Sequence, residues 1–172
     1  MTVGGFTIRP ATSEDADAIA TAHLDSIRSI GARFYTPEIV DDWAAPINAS
    51  RYVNAMAFGE AFFVAVGEVS GQATVWGFST HKTIDTQHRT AVYVRGGAIR
   101  RGVGSALFKR AEKDALDKGA SEIEVSASLA AVAFYKANGF QEIGRGEHQI
   151  SSERRMACIF MRKHLATLKL GV

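Results

Sequence analysis

One cysteine and three prolines in 172 residues leave this chain few covalent or conformational staples. The lone thiol, Cys158, cannot close an intrachain disulfide, which excludes a disulfide scaffold and fits a reducing compartment. No apolar run nears the roughly 18 residues that a membrane-spanning helix needs. Net charge is also scarce: +2 at pH 7 argues for neither a nucleic acid nor a membrane surface as partner. Arg95, Arg100, Arg101, Lys109 and Arg110 cluster in sequence, enough for a local anion site and not for a DNA-binding face. Met1 to Gly5 hold no basic stretch followed by an apolar one, so no signal peptide is expected and the cytoplasm is the expected location. The five histidines share no ligand spacing with Cys158 or with one another, so no metal is expected. Cys158 lies in the apolar, strand-like run Met156–Met161 and reads as a packing thiol before a nucleophile.

What is present suits one mixed α/β domain over residues 1–172, because a 47% hydrophobic fraction is ample for a single core at this length. Phe6 to Arg9 alternates like a short strand. Thr12 or Ser13 then caps a helix whose apolar positions, from Ile19 to Ile27, recur at helical spacing to about residue 29. Thr36-Pro37-Glu38 starts a second helix and Ser50 a third. Ala61 to Val69 and Thr74 to Thr80 read as a hairpin around Ser70-Gly71. Residues 81 to 90 are polar and carry no clear pattern. Ala91 to Val94 is a strand, a helix follows from about Gly102 to Lys118, and Glu122 to Ala127 alternates as a strand. Ser128 is placed to cap a helix through Asn138, and two strands follow near Phe140 to Ile143 and Arg155 to Met161.

The most informative stretch runs from Val92 to Leu107, where a strand ends, a glycine-rich turn follows and a long helix begins. A helix start exposes unpaired backbone N–H groups at the positive end of the helix dipole. Gly102 and Gly104 let the backbone approach a ligand closely, and Arg100 and Arg101 add positive charge beside it. Such a turn suits a pyrophosphate. It is not a P-loop, since no Gly-Lys-Ser/Thr follows, and its glycines miss the dinucleotide spacing. Taken alone, it is also compatible with a turn shaped only for tight packing.

Two motifs together resemble the GNAT superfamily of N-acetyltransferases. Its cofactor loop, Gln/Arg-x-x-Gly-x-Gly/Ala, is matched by Ile99-Arg100-Arg101-Gly102-Val103-Gly104, with Ile99 at the Gln/Arg position. Its later motif is matched in Ala131, Tyr135, Gly139 and Phe140, with Ser128 standing where the family often has Asn. The resemblance spans about residues 60 to 164. It implies an α/β (α+β) fold with a central mixed, mostly antiparallel sheet of six to seven strands, flanked by helices and splayed at the acetyl-CoA site. It also implies an enzyme that moves the acetyl group of acetyl-CoA to a primary amine of a small molecule or peptide. No metal or nucleic acid is implied, and a homodimer stays open.

By this resemblance, backbone groups of Val92, Tyr93 and Val94 hold the pantetheine arm by strand addition. Amides from Arg100, Arg101, Gly102, Val103, Gly104 and Ser105 hold the pyrophosphate. Ala131 lies beside them, and Ser128 either bonds the cofactor or caps a helix. Tyr135 is the expected general acid for the departing CoA thiolate, with a packing aromatic as the plainer reading. Asp85, His88, Glu124 and Ser126 are candidates for accepting the amine's proton. His23, Tyr35 and Trp43 are candidates for the acceptor side, the last two equally readable as core. Two rival readings are a non-catalytic acyl-CoA sensor and a GNAT-shaped interaction domain that has lost its cofactor.

Overall fold

The computed structural model describes residues 5–166. The reading of residues 1–4 as free of a targeting signal, and the two ends of the proposed 1–172 domain, lie outside those residues. Strand β1 (Phe6–Pro10) leads into a 3-10 turn (Ser13–Asp15) and helix α1 (Ala16–Ser29). Asp15 secures that entry: its carboxylate accepts from the Thr12 N–H at 2.8 Å and from Arg9 at 2.8 Å. Helix α2 (Pro37–Ala44) opens on Thr36, whose Oγ1 accepts from the Ile39 N–H. Helix α3 (Ala49–Ala57) begins one residue before the expected Ser50, because Asn48 supplies the cap by accepting from the Arg51 N–H at 3.2 Å.

The remaining elements are β2 (Ala61–Val69), β3 (Gln72–Ile84), β4 (Gln87–Val94), α4 (Val103–Asp117), β5 (Glu122–Ser128), α5 (Val132–Ala137), β6 (Gln141–Gln149) and β7 (Arg155–His164). The unassigned stretch 81–90 is the end of β3, the turn at Asp85 and Thr86, and the start of β4. Its sequence is polar because much of this hairpin tip, from Lys82 to Gln87, is exposed, so no apolar period marks it. The cap expected at Ser128 is corrected. Ser128 closes β5 opposite Cys158, and α5 starts only after Ala131. Sheet pairing holds the Ser128 backbone, and its carbonyl accepts from the Ala131 N–H at 2.9 Å in a turn.

The seven strands form one sheet in the order β1-β2-β3-β4-β5-β7-β6. Every pairing is antiparallel except β4 with β5. On one face, α1 to α3 bury Ile19, Ile27, Val40 and Tyr52 against Phe62, Val64 and Phe78. On the other, Leu107 and Ala111 of α4 pack on Phe63, Ala65 and Trp76. Because β2 is covered on both faces, it reads as a continuous apolar run instead of an alternating one. A second cluster on the α4 side joins Phe108, Ile123, Val125, Tyr135, Phe140 and Met161.

Candidate active site

The parallel neighbours β4 and β5 pair at a single position, Arg89 with Glu124. Beyond it the two strands diverge, leaving a notch in the middle of the sheet. β4 stays zipped to β3 up to Val94 and β5 to β7 up to Ser128. The edges that face each other across the notch therefore offer spare backbone groups. Alternation along the strand assigns them. The Val92 N–H points into the notch, while Arg95 donates to the Trp76 carbonyl of β3 at 2.8 Å. Val92 and Val94 thus face the gap and Tyr93 faces β3, so Tyr93 reaches the site by its ring instead. That ring stacks on Phe78 and lies 3.9 Å from the His23 ring, centre to centre. Burial pushes its phenol up to about 12.

Tyr135 closes the bottom of the notch. It is 2% exposed, and its hydroxyl oxygen accepts from the Val92 N–H at 3.0 Å. Burial holds the phenol above its ordinary range, Tyr93 adds to the effect, and the Val92 hydrogen bond only partly opposes it. The group therefore stays protonated, and among the described residues its own proton has no acceptor. Phe134 and Phe140 pack on its ring edge-on at 5.0 and 5.1 Å.

A cavity of about 370 Å³ extends from the notch across the α1–α3 face. Of the residues singled out from the sequence, Val92, Tyr93, Ser128, Ala131, Tyr135, Ser126, His23 and Trp43 line it, and so does Cys158. Val94 and the stretch Arg100–Ser105 stand outside, at the end of β4 and the start of α4. There Ala106 makes the first helical bond, to Gly102 at 3.0 Å, so the amides of Val103, Gly104 and Ser105 precede the helical ladder. The Val103 side chain is 1% exposed and belongs to the core, leaving only its backbone for a ligand.

The two glycines serve different ends. Gly102 has φ +77° and a Cβ there would meet nothing within 4 Å, so glycine is needed for the left-handed turn. A Cβ on Gly104 would lie 2.8 Å from the Phe134 ring. That glycine lets α4 pack against α5, which brings the amide row beside the notch. Arg100 is also left-handed, with φ 62°. Arg101 lies over the Trp76 ring at 5.2 Å.

The candidate proton acceptors separate. Asp85 occupies the β3–β4 turn at φ 55°, and His88 is turned to the α4 face, bonded to His81 at 2.9 Å. Glu124 is engaged by Arg162 at 2.6 Å and by Arg89 at 3.8 Å. Ser126 alone of the four lines the cavity, and it accepts from Arg89 at 2.7 Å. Tyr35 does not line the cavity. Its hydroxyl donates to the Ala157 carbonyl at 2.6 Å and accepts from the Leu129 N–H at 2.8 Å, which ties the segment before α2 to β7 and to the end of β5. Burial pushes the Cys158 thiol up, which keeps it un-ionised.

Several lining residues had no signal in the sequence: Arg51, Tyr52, Glu60, Lys82, Arg89 and His148. Each sits in an ordinary polar or amphipathic context, and only packing of α3, β3, β4 and β6, with the β6–β7 loop beside it, brings them together. That loop is latched to α2, where Asp42 accepts from Ser151 and from Arg154, both at 2.9 Å.

A family profile described as an acetyltransferase (GNAT) domain matches residues 32–161, well over half of the chain. The chain belongs to this family and is an acetyltransferase. Among solved structures, a GCN5-related N-acetyltransferase from Rhodopseudomonas palustris is 27% identical, with a TM-score of 0.81 over 96% of this chain and 99% of that one. The PaiA N-acetyltransferase of Thermoplasma acidophilum, solved with coenzyme A, is 20% identical, with a TM-score of 0.73 over 93% and 99%. A third similar structure, the YncA putative acetyltransferase of Salmonella typhimurium with acetyl-CoA, is 19% identical, with a TM-score of 0.65 over 94% of each chain. The last two establish likeness of fold. No curated protein gives a significant match. No helix among the described residues is long and apolar enough to cross a membrane.

Proposed function

We propose that this acetyltransferase moves the acetyl group of acetyl-CoA to a primary amine by direct attack, with Tyr135 protonating the departing thiolate. The observation that carries the reading is the Tyr135 hydroxyl at the floor of the notch, held by the Val92 N–H with its own proton free. The site fits the donor. With the Val92 N–H held by Tyr135, the Val92 carbonyl and the Val94 backbone suit the amides of a pantetheine arm, and the amides of Val103, Gly104 and Ser105 suit a pyrophosphate. Arg100 and Arg101 stand beside them, where Ile99 brings no polar group. Ser128 and Ala131 line the same cavity. Acetyl-CoA supplies an activated acyl group and a thiolate leaving group. As the amine bonds to the acyl carbon and the carbon–sulfur bond breaks, Tyr135 gives its proton to sulfur. The proton shed by the new amide nitrogen leaves through the cavity, which Ser126 lines alone among the four expected carriers. We take residues 1–172 as one domain, a view supported by the single sheet that runs from Phe6 to His164.

Acetyl-CoA at about a hundred times its dissociation constant should stabilise the fold by about 2.7 kcal/mol, with NADH and ATP doing far less. Tyr135→Phe keeps the ring and removes one oxygen. Its turnover number in a thiol-release assay should drop by roughly 10²- to 10⁴-fold, with calorimetric affinity for acetyl-CoA little changed. An unchanged turnover number removes Tyr135 as the acid, and equal losses in binding and turnover make it a structural residue.

A further inference from the structure

The wall of the cavity that faces away from the phosphate-binding turn is unusually positive. Arg51, Lys82 and Arg89 line it, and Glu60 is the one carboxylate among the described lining residues. Lys82 and Arg89 are directly opposed across β3 and β4, so both side chains leave the same face with Cβ atoms about 5 Å apart. Like charges so placed destabilise a sheet unless something neutralises them. Glu124 does this for Arg89, at 3.8 Å. Among the described residues no ion pair engages Lys82, Arg51 or Glu60. The Arg51 charge bears on the cavity interior, since after burial it is what keeps the His23 imidazole neutral.

The donor's pyrophosphate is badly placed to supply the missing negative charge. Arg89 lies five residues before Val94 on β4, roughly 17 Å at about 3.3 Å per residue, and the phosphate-binding amides begin beyond Val94. A counter-charge bound at this wall would come with the other substrate. We propose that the acceptor is a small amine that also carries a carboxylate, held by Arg51 and Lys82 with Arg89 behind them. This rests on the acetyl-transfer reading above. The guanidinium fork of Arg51 matches a carboxylate with two parallel hydrogen bonds, and Lys82 adds a point charge. Glu60 gives the same wall one negative charge, which suits a substrate of both signs. A volume of about 370 Å³, shared with the donor's acyl end, keeps the acceptor small.

The test uses matched pairs: β-alanine, 4-aminobutanoate, 5-aminopentanoate and L-glutamate, each against its carboxamide. Thiol release reads turnover, and calorimetry reads binding of each acid and amide to the protein alone and in the presence of coenzyme A. At least one acid should exceed its amide by about tenfold or more in kcat/KM and in affinity. Arg51→Gln combined with Lys82→Gln should bring that ratio close to one while acetyl-CoA affinity holds. Both side chains belong to exposed residues, and an unshifted Tm checks that the variant folds. Amides that match or beat their acids overturn the proposal. So does a ratio that survives the double substitution, or a panel of acids that neither bind nor turn over while acetyl-CoA binds. If wild type fails to bind acetyl-CoA, the transfer reading falls, and binding of the acids to the protein alone still decides the charge assignment.

Discussion

The two faces of the β3–β4 pair each bury a histidine and treat it in opposite ways. His23, on the cavity side, packs edge-on to Phe78 at 5.5 Å and against Tyr93. Its one polar contact is Nδ1 to the Tyr52 hydroxyl at 2.6 Å, and its buried Nε2 has no partner among the described residues. Burial, and then the Arg51 charge, push this imidazole down to about 3. His81, on the α4 side, is 1% exposed, yet both of its nitrogens are bonded. Nδ1 meets Asp114 at 2.7 Å and Nε2 meets His88 at 2.9 Å. Lys118 adds a 2.7 Å bond to the same carboxylate oxygen. A buried polar ring is tolerated either by keeping it neutral or by giving it partners. The cavity face takes the first course. Its aromatic wall stays uncharged around neutral pH, and the charge is left to Arg51, Lys82, Arg89 and Glu60.

The sharpest way to break this contrast is by pH. The folded pKa of His23 lies below the ordinary value, so the unfolded chain binds the extra proton. Its contribution is therefore complete above about pH 6.5 and is lost as pH falls toward about 3. Urea unfolding between pH 6 and pH 4 should show stability declining by about 1.4 kcal/mol per unit more steeply in wild type than in His23→Gln. Equal slopes would mean that His23 is charged in the fold. Next in size is the partner on the opposite face. Asp114→Ala leaves buried His81 without its carboxylate and should cost about 1–3 kcal/mol at pH 7 in the same assay; a cost below a few tenths would mean that the pair is not formed. The smallest effect belongs to His88, whose imidazole is held below its ordinary range by burial, then by His81 and Lys118. Replacing it with Ala removes its 2.9 Å bond to His81 and a longer 3.4 Å contact with Thr83, for about 0.5–1.5 kcal/mol. A cost for His88→Ala above that for Asp114→Ala would reverse the order of the two supports.

The features proposed for the donor side were legible in the sequence because they are local. Each lies within a short window: Gly102 at a positive φ and the turn feeding α4 in one, Tyr135 before Gly139-Phe140 in another. Dihedral limits and the first turn of a helix depend on near neighbours alone. Where local signals competed with long-range ones they misled. Ser128 has the chemistry of a helix cap, yet pairing of β5 with β7 claims its backbone. Gly104 was read only for close approach to a ligand, and its packing against the Phe134 ring is a second demand for glycine that no local pattern carries.

The sequence by itself determined most of the order of elements and the glycine turn before α4, because hydrophobic period, capping and glycine conformation are written within short windows. The splayed strands and the place of Tyr135 were implied by its resemblance to the GNAT superfamily. Only the tertiary structure decided which polar residues meet. Strand register sets Lys82 against Arg89, the packing of α3 turns Arg51 toward the same wall, and α4 delivers Asp114 to His81. Arg51 and Lys82, like His81 and Asp114, lie some thirty residues apart, and Lys82 and Arg89, though close in sequence, sit in a polar hairpin with no apolar period to fix its register. Their adjacency is a property of the closed sheet, which places them together only after the cores on both faces have formed.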